Sequence, residues 1–407
     1  MNNTFEFVGK ISPCKETEKF KPYSETKFDS GWAKKQIKFN FICDTNRHLL
    51  EVSSLYDSKN PDKMKIYTFS KGTTSDSGEK VKGEKMEIPF KDRTKPEIIE
   101  KVAEFKKFVV DTEVPKRRFN LEKAIDKFKD GSITDEQMET LGVHSVDECE
   151  KALTESRKKR HEFISEYDFV DFLNKLVNSD KIKDMTFRAT GDYALEYSEK
   201  NDTWYRKFVV TRLYRTDEEP KSQATFGLTF GREAIDDNDF DDTKKIHING
   251  FLSTYLNTYK KNCFCPITLT LDGNGDEKAE KKALAFKKKF MFPDTCDCDY
   301  REIGLVCNVL DGAQRVELTL DELSDEQREN VEFGLTTLEE IKKELGKDIF
   351  GDRVTDIVID SLCRGFSGGS KDTAYSDKDF GKPRIDTPNS TDIVDDDTED
   401  IFDEDEI

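Results

Sequence analysis

The sequence has little histidine, little tryptophan and no long apolar run. Four His (48, 144, 161 and 247) and two Trp stand in 407 residues, and no His lies at ligand spacing from another. The two-histidine helix of a metalloprotease, HExxH, is therefore excluded. The phosphate-cradling loops GxGxxG and GxxxxGK with a following Ser or Thr are missing, as is the nucleophile turn GxSxG. This removes P-loop NTPases, dinucleotide-dependent dehydrogenases and α/β-hydrolases. Carboxylates are so numerous that no catalytic pair stands out, and no enzyme is expected. No window approaches eighteen uninterrupted apolar residues, so no membrane span is expected. Residues 1–10 (MNNTFEFVGK) lack the basic and apolar regions of a secretion signal. Nine Cys, an odd number, then fit free thiols in a reducing cytoplasm better than a disulfide scaffold.

What is there is charge and phenylalanine. Charged residues make up 37% and apolar ones 35%, which suits a surface-rich protein, and 30 Phe must form much of its core. The net charge is −19, and ten carboxylates with no Lys, Arg or His fall in residues 392–407 (DIVDDDTEDIFDEDEI). Like charges at this density repel, and the few apolar groups cannot offset the entropy of folding, so a mobile, solvated tail is expected. Its Asp400, Ile401, Phe402, Asp405, Glu406 and Ile407 form a candidate hook for a partner protein. The acidic total excludes a broadly basic nucleic-acid binder but leaves room for a local basic groove.

Along the chain, hydrophobic periodicity changes three times. Residues 1–94 alternate with period two in short runs, such as 36–43 (QIKFNFIC) and 64–70 (MKIYTFS), and Gly9 suggests a bend in the first strand. Residues 95–181 carry helical spacing, with a capping box at Thr134–Gln137 and an amphipathic stretch at 165–178. Strand patterns return over 182–320, followed by helix and a closing strand over 321–362. Residues 363–391 are rich in Gly, Ser, Asp and Lys and read as a flexible linker to the tail. The expected class is α+β: two small antiparallel β regions of the OB type, a helical insertion between them, then a disordered acidic tail.

Three constellations bear on chemistry. Residues 272–276 (DGNGD) begin like a calcium loop, but Glu277 and Ala283 stand where that loop needs Gly and Glu, so a turn is expected. Cys263, Cys265, Cys296 and Cys298 form two CxC pairs. On strands, i and i+2 share a face, so the pairs can offer four thiolates to one Zn²⁺; the simpler reading is buried thiols and no cofactor. The strongest pattern is aromatic residues interleaved with basic ones on strands: Trp32, Lys35, Lys38 and Phe39 in the first β region, and Arg188, Trp204, Tyr205, Arg206, Lys207, Arg212 and Tyr214 in the second. Flat rings stack on unpaired bases while cations follow the phosphates, as single-strand binding requires. Strand parity places Trp204, Arg206, Phe208, Val210, Arg212 and Tyr214 on one face.

Taken with its acidic end, the chain resembles the phage-type single-stranded DNA-binding proteins. The residues that carry the resemblance are Asp395–Asp397, Asp400-Ile401-Phe402 and 403–407 (DEDEI), with Ile407 where the bacterial family ends in Phe. The resemblance implies an OB-fold body that binds single-stranded DNA without sequence preference during DNA replication or recombination. It implies that the tail competes with DNA and recruits replication or recombination proteins, in the host cytoplasm for a phage-encoded chain. The alternative is a structural or adaptor protein, such as a virion or assembly component, whose tail solubilises it or mimics DNA.

Overall fold

In the structure, a computed structural model, residues 2–74, 80–315, 323–337, 340–341 and 350–383 are described. The first four strands are β1 (Thr4–Pro13), β2 (Tyr23–Lys27), β3 (Trp32–Cys43) and β4 (Asn46–Asp57). In β3, Ala33, Lys35, Ile37 and Phe39 turn inward while Trp32, Lys34, Gln36 and Lys38 turn outward, the period-two pattern of a strand with one face on a core.

A long excursion follows. It opens with a hairpin of β5 (Lys65–Phe69) and β8 (Lys85–Pro89), with the short β6 (Thr73–Thr74) and β7 (Lys80–Val81) paired between them. Helix α1 (Pro96–Lys101) and strand β9 (Phe108–Asp111) lead to α2 (Pro115–Asp130), α3 (Asp135–Leu141) and α4 (Val146–Lys158). These last three helices bury Leu121, Val143, Cys149 and Leu153 in a small core of their own. The Thr134–Gln137 capping box is present. Strand β10 (Arg160–Phe163) returns along β9, and α5 (Glu166–Val177) then buries Phe169, Val170 and Leu173 against the main core.

Strands β11 (Thr186–Ser198) and β12 (Thr203–Arg215) complete the first ring. β1 pairs with β3, β3 with β4, β4 with β12, β12 with β11, and β11 with β1. The β4–β12 pair is parallel (Phe208 beside Leu50) and the others are antiparallel. Gly9 stands where one edge of β1 passes from β13 to β3 while β11 holds the other edge, and a Cβ there would lie 2.1 Å from the Ile42 carbonyl oxygen. The bend expected at Gly9 has this close approach as its cause.

The second ring repeats the plan. Its strands are β13 (Lys221–Gly231), β15 (Lys245–Leu256), β16 (Lys261–Asp272), β17 (Tyr300–Arg315) and β18 (Phe350–Leu362); the short β14 (Ile235–Asp236) and α6 (Phe240–Thr243) lie between β13 and β15. β13 pairs with β15, β15 with β16, β16 in parallel with β18, β18 with β17, and β17 with β13. Helix α7 (Glu277–Lys287), capped by Asp276, precedes β17, and α8 (Asp325–Glu332) precedes β18. A last short strand, β19 (Lys371–Asp372), pairs with β17. The rings are joined by the antiparallel pairing of β1 with β13, and one apolar core runs through both.

The expected fold class is overturned. The chain is mostly β, and the rings belong to one mixed 15-stranded sheet in place of two antiparallel OB-like regions separated by helices. The helical segment lies inside the first ring, between β4 and β11, not between two β units. Periodicity marks a strand but does not name its partner. Here β4 finds β12 some 150 residues later, because loop-closure entropy grows only with the logarithm of loop length. Asp-Gly is a hairpin-turn signal, yet β17 runs unbroken through Asp311 and Gly312 and pairs with β18.

The stretch expected to be a flexible linker, 363–391, is described as far as residue 383, and that part packs on the sheet through β19 and a turn at Asp377–Phe380. Its aromatic residues provide the anchor that its low aliphatic content conceals. The acidic stretch 392–407 lies outside the described residues. No helix among the described residues is long and apolar enough to cross a membrane.

Candidate nucleic-acid interface

The first ring sorts the expected contact residues by strand parity. Lys35 and Phe39 share the inward face of β3, so neither reaches a surface groove. Phe39 is fully buried, and the Lys35 ammonium is held 2.6 Å from Asp171 and 3.7 Å from the centre of the Tyr167 ring. Despite the cost of burial, this pairing keeps the Lys35 pKa above its ordinary value. Trp32 and Lys38 are outward, Trp32 at the far end of β3 opposite Asp57.

β12 lies beside β4, and its outward Lys207 meets the same surface as Lys38. Glu51 sits between them, 3.8 Å from the Lys38 ammonium and 3.7 Å from that of Lys207. Lys207 also reaches Glu196 at 2.5 Å. Tyr205 follows Lys207 along this face and accepts a hydrogen bond from the Asn201 amide at 3.0 Å. Trp32, Lys38, Lys207 and Tyr205 thus form a strip with the outward Lys34 and Gln36.

The single face expected for residues 204–214 is broken. β11 and β12 slip register at Thr190 and Gly191: Gly191 pairs with Val210 but Thr190 with Arg212. Thr211 is the extra residue of a bulge, and a bulge reverses parity. Trp204 and Phe208 pack against the core and Val210 lies within it, whereas Arg212 and Tyr214 turn toward the excursion. Arg212 donates to the Glu104 carbonyl at 3.0 Å, and β9 runs alongside Arg212–Tyr214. Burial raises the Tyr214 pKa. Arg188 is ion-paired with Glu218. These three are not brought to the Lys38–Lys207 strip.

Arg206 goes elsewhere. Its guanidinium donates to the Pro266 carbonyl at 2.6 Å, at the margin of a groove of about 840 Å³ on the outer face of β15 and β16. His247, Asn249, Phe251, Thr268 and Tyr300 line this groove. Its polar floor is fixed from within: Thr268 donates to Asn249 at 2.7 Å, and Thr270 donates to Asp356 at 2.7 Å. At its aromatic end a ring from the same chain is seated. Phe380 lies 4.1 Å from Tyr300, 4.5 Å from Phe251 and 4.6 Å from Phe264, centroid to centroid. The Tyr300 hydroxyl donates to Asp377 at 2.8 Å; burial, reinforced by this bond, pushes its pKa up to about 12.

Comparison with known proteins adds little to this geometry. No family model matches the chain, and neither does any curated protein. Among the solved structures similar to it is a deletion mutant of the single-stranded DNA binding protein from Thermus aquaticus, 8% identical, with a TM-score of 0.28, covering 80% of this chain and 98% of that one. A likeness at that level carries no argument, and the chain's own residues must supply it.

Sequence reasoning missed Phe251, Tyr300 and Phe380. A signal for Phe251 was present. In β15, Ile246, Ile248 and Leu252 point inward, so His247, Asn249 and Phe251 share the outward face, and an aromatic on the polar side of an alternating strand marks a contact surface. The thiol reading also changes. Cys296 and Cys298 are joined to each other as a disulfide, and Cys265 is in the core. Among the described residues, the group able to hold a metal ion is Cys296, Cys298 and Asp372, without Cys263 or Cys265.

Proposed function

We propose that the chain binds single-stranded DNA without sequence preference, in DNA replication or recombination, as a binding protein and not a catalyst. The observation that carries this reading is the groove on β15 and β16, at whose aromatic end a flat side chain packs against both Tyr300 and Phe251, tilted by 31° and 38°. Rings that hold a phenyl group at this distance offer faces to a nucleobase, and each stacked base contributes about 1–3 kcal/mol whatever its identity. Arg206 at the groove margin, with Lys38 and Lys207 on the first ring, supplies charge for the phosphates. Duplex DNA keeps its bases stacked on one another and offers no free ring to the slot.

In this reading the segment carrying Phe380 and Asp377 is an intramolecular stand-in for a nucleotide, a ring beside an anion, and DNA must displace it. The acidic stretch with Asp400, Ile401, Phe402, Asp405, Glu406 and Ile407 adds to the competition and offers a hook to replication or recombination partners, in the cytoplasm of a host for a phage-encoded chain. A second reading, a structural or adaptor protein with a DNA-mimicking tail, is favoured by the pairing of both Lys38 and Lys207 with carboxylates.

The test is fluorescence anisotropy of a labelled dT oligomer, with a duplex control, at low and moderate salt. Binding to the single strand only, weakened by salt and about tenfold weaker in Tyr300→Ala, supports the groove. No binding at low salt, by the full chain or by Phe380→Ala, would sink it and leave the adaptor reading.

A further inference from the structure

The loop at residues 291–299 carries a feature that nucleic-acid binding does not use. Cys296 and Cys298 present their sulfurs to the Asp372 carboxylate of β19, and one donor atom from each lies within 4.8 Å of the others. Cys296 Sγ lies 3.6 Å from Asp372 Oδ1. Cys296 is buried, so its sulfur is shielded from bulk water. The loop backbone is held in place: the Arg232 guanidinium donates to the carbonyl oxygens of Cys296 at 2.7 Å and Cys298 at 3.2 Å, and the Cys296 N–H donates to Pro293. Asp372 is oriented from the other side by Arg301, whose Nε lies 3.0 Å from Oδ1.

The geometry points to a site for one thiophilic divalent cation, Zn²⁺ by its chemistry, held by the Cys296 and Cys298 thiolates and the Asp372 carboxylate. Two soft sulfurs and one oxygen are a donor set that tetrahedral Zn²⁺ accepts, with the fourth position left for water. Arg301 and Arg232 act as the outer partners that fix ligand orientation. The disulfide and the cation are alternative states of the same sulfur pair. A two-electron reductant, such as a phosphine that takes up an oxygen from water, opens the S–S bond and leaves two thiols. Cation binding then releases their two protons. The bound ion ties the loop at 291–299 to β19, and so to the segment that carries Phe380. The site does not depend on the chain binding DNA.

The experiment uses the full chain, reduced with a phosphine under anaerobic conditions, and titrated with Co²⁺ as a spectroscopic probe and with Zn²⁺ against a chromophoric chelator. The expected result is one equivalent per chain, with a thiolate-to-cobalt charge-transfer band and no uptake by the oxidised chain. The pair Cys296→Ser and Cys298→Ser should abolish the band, and Asp372→Asn should weaken binding about tenfold or more. The pair Cys263→Ser and Cys265→Ser should leave both unchanged. Asp372→Asn alters an exposed side chain and keeps the test sound should the double serine variant not fold. No uptake by the reduced chain overturns the proposal. So does a charge-transfer band that survives loss of Cys296 and Cys298, or affinity unaltered by Asp372→Asn.

Discussion

Phe380 lies on Tyr300 with ring centroids 4.1 Å apart and planes inclined by 31°. The two residues are 80 positions apart, on a turn after the last strand and at the start of β17. Its capping box is internal, and Gly365 and Gly369, both with positive φ, precede β19. The segment is fastened by the contacts of Phe380 with Tyr300, Phe251 and Phe264, by the Tyr300–Asp377 hydrogen bond, by Thr373, which donates to the Tyr300 carbonyl at 2.8 Å, and by the pairing of β19 with β17. A ligand that stacks on Tyr300 competes with Phe380 for that ring.

Phe380→Ala should accordingly tighten single-strand binding. Losing the ring contact removes about 0.5–1.5 kcal/mol from the occupant, which is roughly a 2- to 13-fold gain in affinity for a dT oligomer by anisotropy. Thermal stability should fall only slightly. An unchanged Kd would show that Phe380 does not contest the ligand's place.

Lys38 and Lys207 should act on phosphates, and Lys35 should not. Lys38→Ala with Lys207→Ala is expected to lower affinity and to flatten the log–log salt dependence by roughly 1.4, about 0.7 per lost contact with a single strand. Lys35→Ala should leave that slope alone and cost stability of about 0.5–1.5 kcal/mol, because it breaks the pair with Asp171, which keeps its hydrogen bond from Tyr23. A salt slope that drops with Lys35 but not with the other two would reverse the assignment of faces.

That contrast also shows how far the sequence could be read. Alternation marked β3 as a strand, and its parity placed Lys35 with Ile37 and Phe39, away from Lys38. Trp32, Lys35, Lys38 and Phe39 are one cluster by composition and two faces by parity. On β12 parity itself failed, since the extra residue Thr211 reverses the side chains after Val210, and only the register with β11 reveals it. The rings were hidden for a different reason. Each closes through a parallel pair, β4 with β12 and β16 with β18, between segments far apart in sequence, where no turn residue announces the pairing. Phe380 was hidden by the Gly, Ser and Asp around it.

His48 sets an acid limit on stability. It is 1% exposed, stacks on Phe7 at 4.2 Å and shares a 2.6 Å hydrogen bond with Ser222 of the second ring. Burial lowers its pKa to about 4, against 6.5 when exposed. The unfolded chain therefore binds the proton first as pH falls. The neutral-His contribution is intact above about 6.5 and is lost on descending toward 4, at a cost of roughly 2–3 kcal/mol by pH 4.5. Urea unfolding at pH 7 and pH 4.5 should show a smaller loss in His48→Gln than in the parent. Equal losses in both proteins would mean that His48 is not the group that titrates.

Gly9 tests the closure of the first ring. There one edge of β1 passes from β13 to β3, with β11 still on the other edge, and the backbones come so close that a Cβ would stand 2.1 Å from the Ile42 oxygen and 2.7 Å from its carbonyl carbon. Neither atom belongs to a side chain that can swing away, so the strands must part. Gly9→Ala is expected to cost about 3–5 kcal/mol, the range of a severe overpacking or backbone clash. Gly368 is a control of the same chemistry: nothing lies within 4 Å of a Cβ built there, and Gly368→Ala should change stability by no more than about 0.5 kcal/mol. Denaturant midpoints compare the two directly. If Gly9→Ala unfolds at the same midpoint as Gly368→Ala, β1 does not pass between β11 and β3 at this distance, and the ring that places Lys38 beside Lys207 is not closed as described.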